Sequence, residues 1–440
     1  MILLLNKRID NIGLVLFRIV FGLLIAIEGF GAIATGWVRD TLVTPDFTFH
    51  FIGFDFLDYL QGPFVYVLFV LLGIFGICVM LGYRYRPAMV GYALIWSCVY
   101  LMQKTSYNNH YYLLMLLCWI MVFLPAHRDL SLDAKRNLSL RSSQMPLWVK
   151  LVFILQVGIV YIYASLAKLY PGWWDGTAIS IFMENKQHYP IIGEWLQLHS
   201  VHIIMAYVGI FFDLLIVPLL LWKKTRVFAF VVSILFHLSN SIIFQIGIFP
   251  YMSIAFALFF FSPGTLRKIF VPKRKKKFTL NSVETKSNKF LLALFSIYFL
   301  FQIGLPLRHL FYPDNVLWTE EGHRLSWRMM LRSRSGYMTM YIRDKKTGER
   351  KIYDYHKLLA PKQQSVPAHA DLIWQLAQKI KEKEAMEGRD VSVYAKAYIS
   401  VNRSPYFLFT DSTIDLADQK WNHLSHTSWI LPMPGNFLKK

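Results

Sequence analysis

The sequence predicts a polytopic α-helical membrane protein of about nine transmembrane helices, N-terminus cytoplasmic and C-terminus outside, with a small C-terminal extracytoplasmic α+β domain. Three observations carry that expectation. Of 440 residues, 55% are hydrophobic and 16% aromatic, too apolar a mix for a soluble chain of this length. Apolar runs near the ~20 residues that cross a bilayer recur through the first three quarters. Lys and Arg gather in alternate connections, as they do in short cytoplasmic loops.

In chain order the runs fall at roughly 14–34, 63–82, 87–103, 110–125, 148–168, 202–222, 226–245, 247–262 and 290–311. The first is followed by polar chain without a small-residue cleavage signature, so it reads as a span and not as a removed leader. Lys7 and Arg8, Arg84 and Arg86, the 126–150 loop, Lys223, Lys224 and Arg226, and the 267–277 cluster share one side. The loops at 36–62 and 169–201 are acidic or neutral and take the other. Residues 1–312 therefore read as the membrane domain and 313–440 as the external one. In the latter, "YMTMYIRD", "VSVYAKAYISV" and "YFLFTD" alternate like strands, and "AHADLIWQLAQKIKEKEAM" has a helical period.

The net charge of +20 sits largely in the basic loops, densest in "VPKRKKKF", and reads as anchoring to anionic headgroups, with no nucleic acid implied. Cys78, Cys98 and Cys118 all fall within spans, so no disulfide framework is expected. The chain has no HExxH, CxxC, GxGxxG or P-loop, which leaves metal, nucleotide and thiol chemistry without a motif.

Ionisable groups in a membrane are costly and mark function unless a cheaper reason exists. Three sets qualify. In "KTSYNNHYYLL", Lys104, Asn108, Asn109 and His110 sit at the outer junction of the third and fourth spans, where cap and turn chemistry is the alternative. Lys168 closes a run, 151–167, that has no charge at all. Snorkelling to the interface is its plain reading. Held among Tyr, Leu and Trp side chains instead, it would be neutral near pH 7 and serve as a general base. In "FHLSNSIIFQIGIFPY", His237, Asn240, Ser241 and Phe244 form one polar stripe at helical spacing, whose alternative role is helix–helix adhesion. By the charge pattern all three sets lie toward the outer face, which suggests one pocket open sideways to a lipid-soluble ligand and outward to a polar one.

At these residues the chain resembles vitamin K-dependent γ-glutamyl carboxylase and its prokaryotic relatives, which share a horizontally transferred transmembrane domain. "KTSYNNHYYL" is similar to the family's KTSWNNHSYL, "VYIYASLAKL" with "WWDG" to VYFIAGVKKL and W-x-x-G, and "FHLSNSIIFQIGIFPY" to FHxxNSxxFxIGxFxY. Beyond the spans, "LSWRMMLRSRSG" is similar to SWDMMxHSRS and "HTSWILP" to RTSWxxP.

The resemblance implies an enzyme that oxidises reduced vitamin K (phylloquinol or menaquinol) with O2 to the 2,3-epoxide. The alkoxide base so generated removes a γ-proton from a peptide glutamate, to which CO2 adds; no metal is involved. Lys168 would deprotonate the quinol, and His110 would hydrogen-bond the quinone oxygen or the developing carbanion. Asn108, Asn109, His237 and Asn240 would hold the quinone, and Trp318, Trp327, Arg332 and Arg334 the substrate. The implied partners are a glutamate-containing peptide or protein, membrane lipid, the quinone, and a quinone reductase in the same membrane. The expected location is a bacterial inner membrane, or the ER membrane of a eukaryote, with the site toward the outer or lumenal face.

Two positions depart from the pattern: Arg328 replaces an acidic residue and Arg332 a histidine. A quinol epoxidase without carboxylation, and a non-enzymatic transporter or lipid-binding protein, stay open as alternatives. Lys168→Ala is expected to abolish quinol oxidation and leave the fold intact, because a rim lysine has no buried partner.

Overall fold

The computed structural model describes residues 2–272 and 289–435, so the basic run at 273–277 lies outside the described residues. Every apolar run of the sequence is helical: α1 (Ile12–Ala34), α2 (Val65–Leu81), α3 (Tyr85–Met102), α4 (Asn109–Phe123), α5 (Leu147–Ala167), α6 (His199–Leu221), α7 (Arg226–Phe244), α8 (Phe249–Ala255) and α9 (Lys289–Gly304). Five of these segments are long and apolar enough to cross a membrane: α1, α5, α6, α7, and α9 with its continuation to Phe311. The α8 segment, even with its 3-10 extension to Phe259, is only about 16 Å long at 1.5 Å per residue, too short to cross on its own.

Small residues let the first two helices touch backbone to backbone. A Cβ on Gly29 would lie 2.6 Å from Gly73 N, and one on Gly76 2.5 Å from Ala26 N. Aromatic side chains fill the centre of the bundle, where Phe17 meets Phe21, Phe153, Phe256 and Phe259 at ring separations of 4.9–5.6 Å. At the basic end, β1 (Arg8–Asp10) pairs with β2 (Gln144–Pro146). There the buried Arg18 donates to the carbonyls of Ala126, Asp129 and Leu130, so a cation inside α1 ends on backbone oxygens.

The C-terminal unit is a four-stranded antiparallel sheet in the order β4-β3-β5-β6, from β3 (Arg334–Asp344), β4 (Arg350–Tyr353), β5 (Val391–Val401) and β6 (Phe407–Leu408), with the helix α10 (Ala370–Met386) on one face. The strand expected at "YFLFTD" is reduced to its Phe407–Leu408 pair, and β4 was not expected. Met338, Met340 and Ile342 of β3 and Val393, Ala395 and Ala397 of β5 bury against Leu372, Ile373, Leu376 and Ile380 of α10.

One ionic cluster fastens this unit to the bundle. Lys104 Nζ, at the end of α3, donates to Asp371 at 2.8 Å, and Arg324 reaches the same carboxylate at 3.1 and 3.2 Å. Burial works to raise the Asp371 carboxyl, but Arg324 and Lys104 outweigh it and hold the group well below the usual carboxylate range. Lys104, one of the polar candidates in the sequence, is thus a structural cation.

Candidate active site

Lys168 caps the C-terminus of α5 and is only 8% exposed. Its Nζ donates to the Asp213 carboxylate, from the middle of α6, and lies 5.5 Å from the centre of the Trp173 ring. Trp173 is fixed in turn by its indole N–H, which donates to Ala206 O at 3.0 Å, and Ser165 Oγ ties α5 to α6 through Ile210 O at 3.1 Å. The lysine is therefore no snorkelling rim residue, and removing it strands a buried carboxylate. That corrects the expectation that Lys168→Ala leaves the fold untouched.

The first and third polar sets meet beside this pair. His237 Nε2 lies 2.8 Å from the hydroxyl of Tyr161, which stands about two helical turns before Lys168 on α5. With that hydroxyl donating, the ring proton sits on His237 Nδ1, which is buried with no partner among the described residues. His110 opens α4 and stacks on Phe249, the first residue of α8, at a ring separation of 4.1 Å. Lys168, Asp213, Tyr161, His110, His237 and Asn240 all line one cavity of about 180 Å³ within the bundle, whose other walls are mostly apolar, with Phe236, Phe244 and Phe249 among them.

A second cavity, about 330 Å³, lies between the bundle and the C-terminal unit. It is polar where the first is apolar. Arg328, Arg332 and Arg334 line it with Lys104, Asn108, Asn109, Glu320, His323 and His369. His110, Met329 and Met330 line both cavities, so the histidine stands in the wall between them.

The loop from 320 to 333 builds that wall, and hydrogen bonds from both sides hold it. Leu325 N donates to Tyr107 Oη at 2.6 Å, the Tyr107 hydroxyl donates to Asn109 Oδ1 at 2.9 Å, and Asn109 Nδ2 donates to Arg328 O at 3.2 Å. From the other side the Tyr170 hydroxyl donates to Leu331 O, and Asn402 Oδ1 accepts from Ser333 N at 3.0 Å. Asn108 Oδ1 accepts from Tyr111 N at 2.7 Å and caps α4. The two asparagines thus shape the walls: one through the cap, the other through the loop.

Four expected substrate contacts divide. Arg332 and Arg334 line the polar cavity. Trp327 and Trp318 do not: both are fully buried. Trp327 packs on Tyr112 at 4.8 Å in the helical core, and Trp318 donates from its indole N–H to Leu431 O at 2.7 Å in the core of the sheet unit. Asp213, absent from the sequence candidates, was visible as the lone acid of the 202–222 run.

Comparison with known families decides the relationship. Residues 6–264 match the HTTM domain, and residues 287–436 match the vitamin K-dependent gamma-carboxylase, lumenal domain. The chain belongs to the vitamin K-dependent carboxylase family. No solved structure matches it.

Within this carboxylase-family chain the two matched regions supply different walls: His110, Lys168, Asp213 and His237 come from the first, Arg328, Arg332 and Arg334 from the second. A quinol ring fits the donor set of the apolar cavity. The buried Nδ1 of His237 has no partner among the described residues, and a volume below the ~300 Å³ of drug-sized pockets suits a ring with its tail outside. Among the described residues, no group of three or more His, Cys, Asp or Glu is placed to hold a metal ion.

Proposed function

We propose that this protein carboxylates peptide glutamate at the expense of a reduced vitamin K quinol, with the quinol ring in the apolar cavity and the glutamyl side chain in the cationic one. The observation that carries this reading is the shared wall: His110 faces both chambers, so a base made in one acts on a carbon held in the other. Bound reduced vitamin K would supply that base as O2 oxidises it to the 2,3-epoxide, and CO2 would then add to the γ-carbon.

The protein's own part is protonic and exclusionary. Lys168 and Asp213 act as one proton-holding unit: when the shared proton rests on the carboxyl, the amine is free to take the quinol hydroxyl proton. His237 Nδ1 and Asn240 orient the ring, and His110 donates toward its oxygen or toward the carbanion that forms on the substrate. Phe236, Phe244, Phe249, Met329 and Met330 keep water from a base that bulk solvent would quench.

In this reading the bundle crosses the membrane with its basic loops in the cytoplasm, as expected from the charge pattern, with the division near 312. The chambers open to the outer or lumenal side of a bacterial inner membrane or its ER equivalent, and a quinone reductase in the same membrane renews the quinol. A second reading, quinol epoxidation without carboxylation, has one observation in its favour: Glu320 already pairs with Arg332 in the cationic cavity.

The test is a solubilised assay with reduced vitamin K, a glutamyl peptide and labelled CO2, which follows epoxide and peptide-bound label in one tube. Both products in the native chain, and neither in a folded Lys168→Ala/Asp213→Ala variant, is the expected result. Epoxide without label selects the second reading.

A further inference from the structure

The cationic cavity contains more positive charge than its own acids neutralise, and the surplus is unevenly placed. Five cations line it, Lys104, Arg324, Arg328, Arg332 and Arg334, against one lining carboxylate, Glu320. His323 and His369 add no charge, since burial and then neighbouring arginines, Arg328 first for His323 and Arg324 first for His369, hold both imidazoles well below their ordinary range.

Each cation but one is already committed. Lys104 and Arg324 share Asp371, just behind the lining. Arg332 pairs with Glu320, which also holds His369, and its Nη1 lies 3.3 Å from His323 Nδ1. Arg334 donates from Nη1 to Leu317 O at 2.9 Å and Trp318 O at 2.7 Å, donates from Nε to Ala368 O, and sits 5.0 Å from the Phe409 ring centre. Its Nη2 is buried without a partner among the described residues, but the other contacts fix the guanidinium against the sheet unit.

Arg328 differs. Among the described residues its guanidinium has no hydrogen-bond or ion-pair partner, and its Nε is buried without an acceptor. Burial pulls it down to about 10, so it is charged at neutral pH. Its backbone carbonyl is held by Asn109, one residue before His110, so the side chain starts from the wall shared by the two cavities. Arg328 is half-buried, and a guanidinium partly withdrawn from water without a counter-charge is costly unless an anion arrives to pair with it.

We propose that Arg328 is the seat of the substrate's glutamyl carboxylate in this chain, a specificity-determining residue that stands where the family pattern has an acid. This rests on the reading of the cationic cavity as the substrate chamber. Glu320 occupies Arg332, the residue before the "SRS" motif, and so leaves Arg328 as the cation open to the substrate.

The test is equilibrium binding of a fluorescent single-glutamate peptide and its glutamine counterpart to the full chain in detergent, by anisotropy. Native protein prefers the glutamyl peptide about tenfold or more, the size expected for a charge-assisted pair. Arg328→Gln loses that preference and leaves the glutamine peptide's affinity as it was. Arg328→Lys, which keeps the charge but not the fork geometry, falls between and serves if the Gln variant fails to fold. An unchanged preference in either variant overturns the assignment. No preference in the native chain overturns the substrate-chamber reading as well, which separates the two failures.

Discussion

Lys168 donates to the carboxylate of Asp213 across the contact of α5 with α6, so each charge inside the bundle has the other as its partner. Breaking a buried pair from one side costs about 3–5 kcal/mol, because the survivor is left charged in a dry environment. Lys168→Ala is therefore expected to lower the thermal midpoint of the solubilised protein sharply, and Lys168→Ala/Asp213→Ala to recover most of the loss. A single variant that melts with the native protein would remove the pair from the account.

His110 gives a prediction of the opposite kind. Its ring stacks on Phe249 at the cavity wall, where truncation leaves no buried ion unpaired. His110→Ala should lower peptide carboxylation by about 100-fold or more, the usual loss of a positioned acid–base group. The melting curve should move little, and the two measurements together separate chemistry from folding.

Trp318 is predicted to act through packing. Trp318→Ala should destabilise by about 3–5 kcal/mol, and Trp318→Phe by roughly 1 kcal/mol for the lost hydrogen bond to Leu431 O. The peptide KM of Trp318→Phe should equal that of the native chain; a raised KM would return this tryptophan to the substrate.

The Asp371 cluster makes the junction of bundle and sheet unit acid-sensitive. Its folded carboxyl lies below its ordinary value, so the stability it contributes is complete above the usual carboxylate range and is lost as pH falls through that range toward the folded pKa. Thermal midpoints measured from pH 7 to pH 3 should drop, and Asp371→Asn, less stable at pH 7, should show a shallower fall. Parallel curves for the two proteins would count against the cluster.

The helices were legible because long apolar runs leave few alternatives, and the polar sets converged because their spacing placed them at the same end of successive helices. Two features were not legible. The partner of Lys168 depended on which helix lies beside α5, a fact of packing that the lone acid at 213 only hints at. The loop that separates the cavities places Glu320, Leu325, Trp327 and Met330 in the left-handed region, at φ of 62°, 57°, 58° and 48°. L-residues adopt that region when surrounding contacts force them, so no local sequence signal announces it. That loop buried Trp327 against Tyr112 and turned Arg328 to the cavity side, against the expectation that the tryptophan would meet substrate.

The central claim is that a base generated in the apolar cavity reaches a glutamate held in the cationic one. The most direct measurement is release of tritium from the γ-carbon of a labelled glutamyl peptide into water, without CO2, in the presence and absence of reduced vitamin K and O2. Release that requires both and is lost in His110→Ala is the predicted result; no release above background, or release indifferent to the quinol, would contradict it.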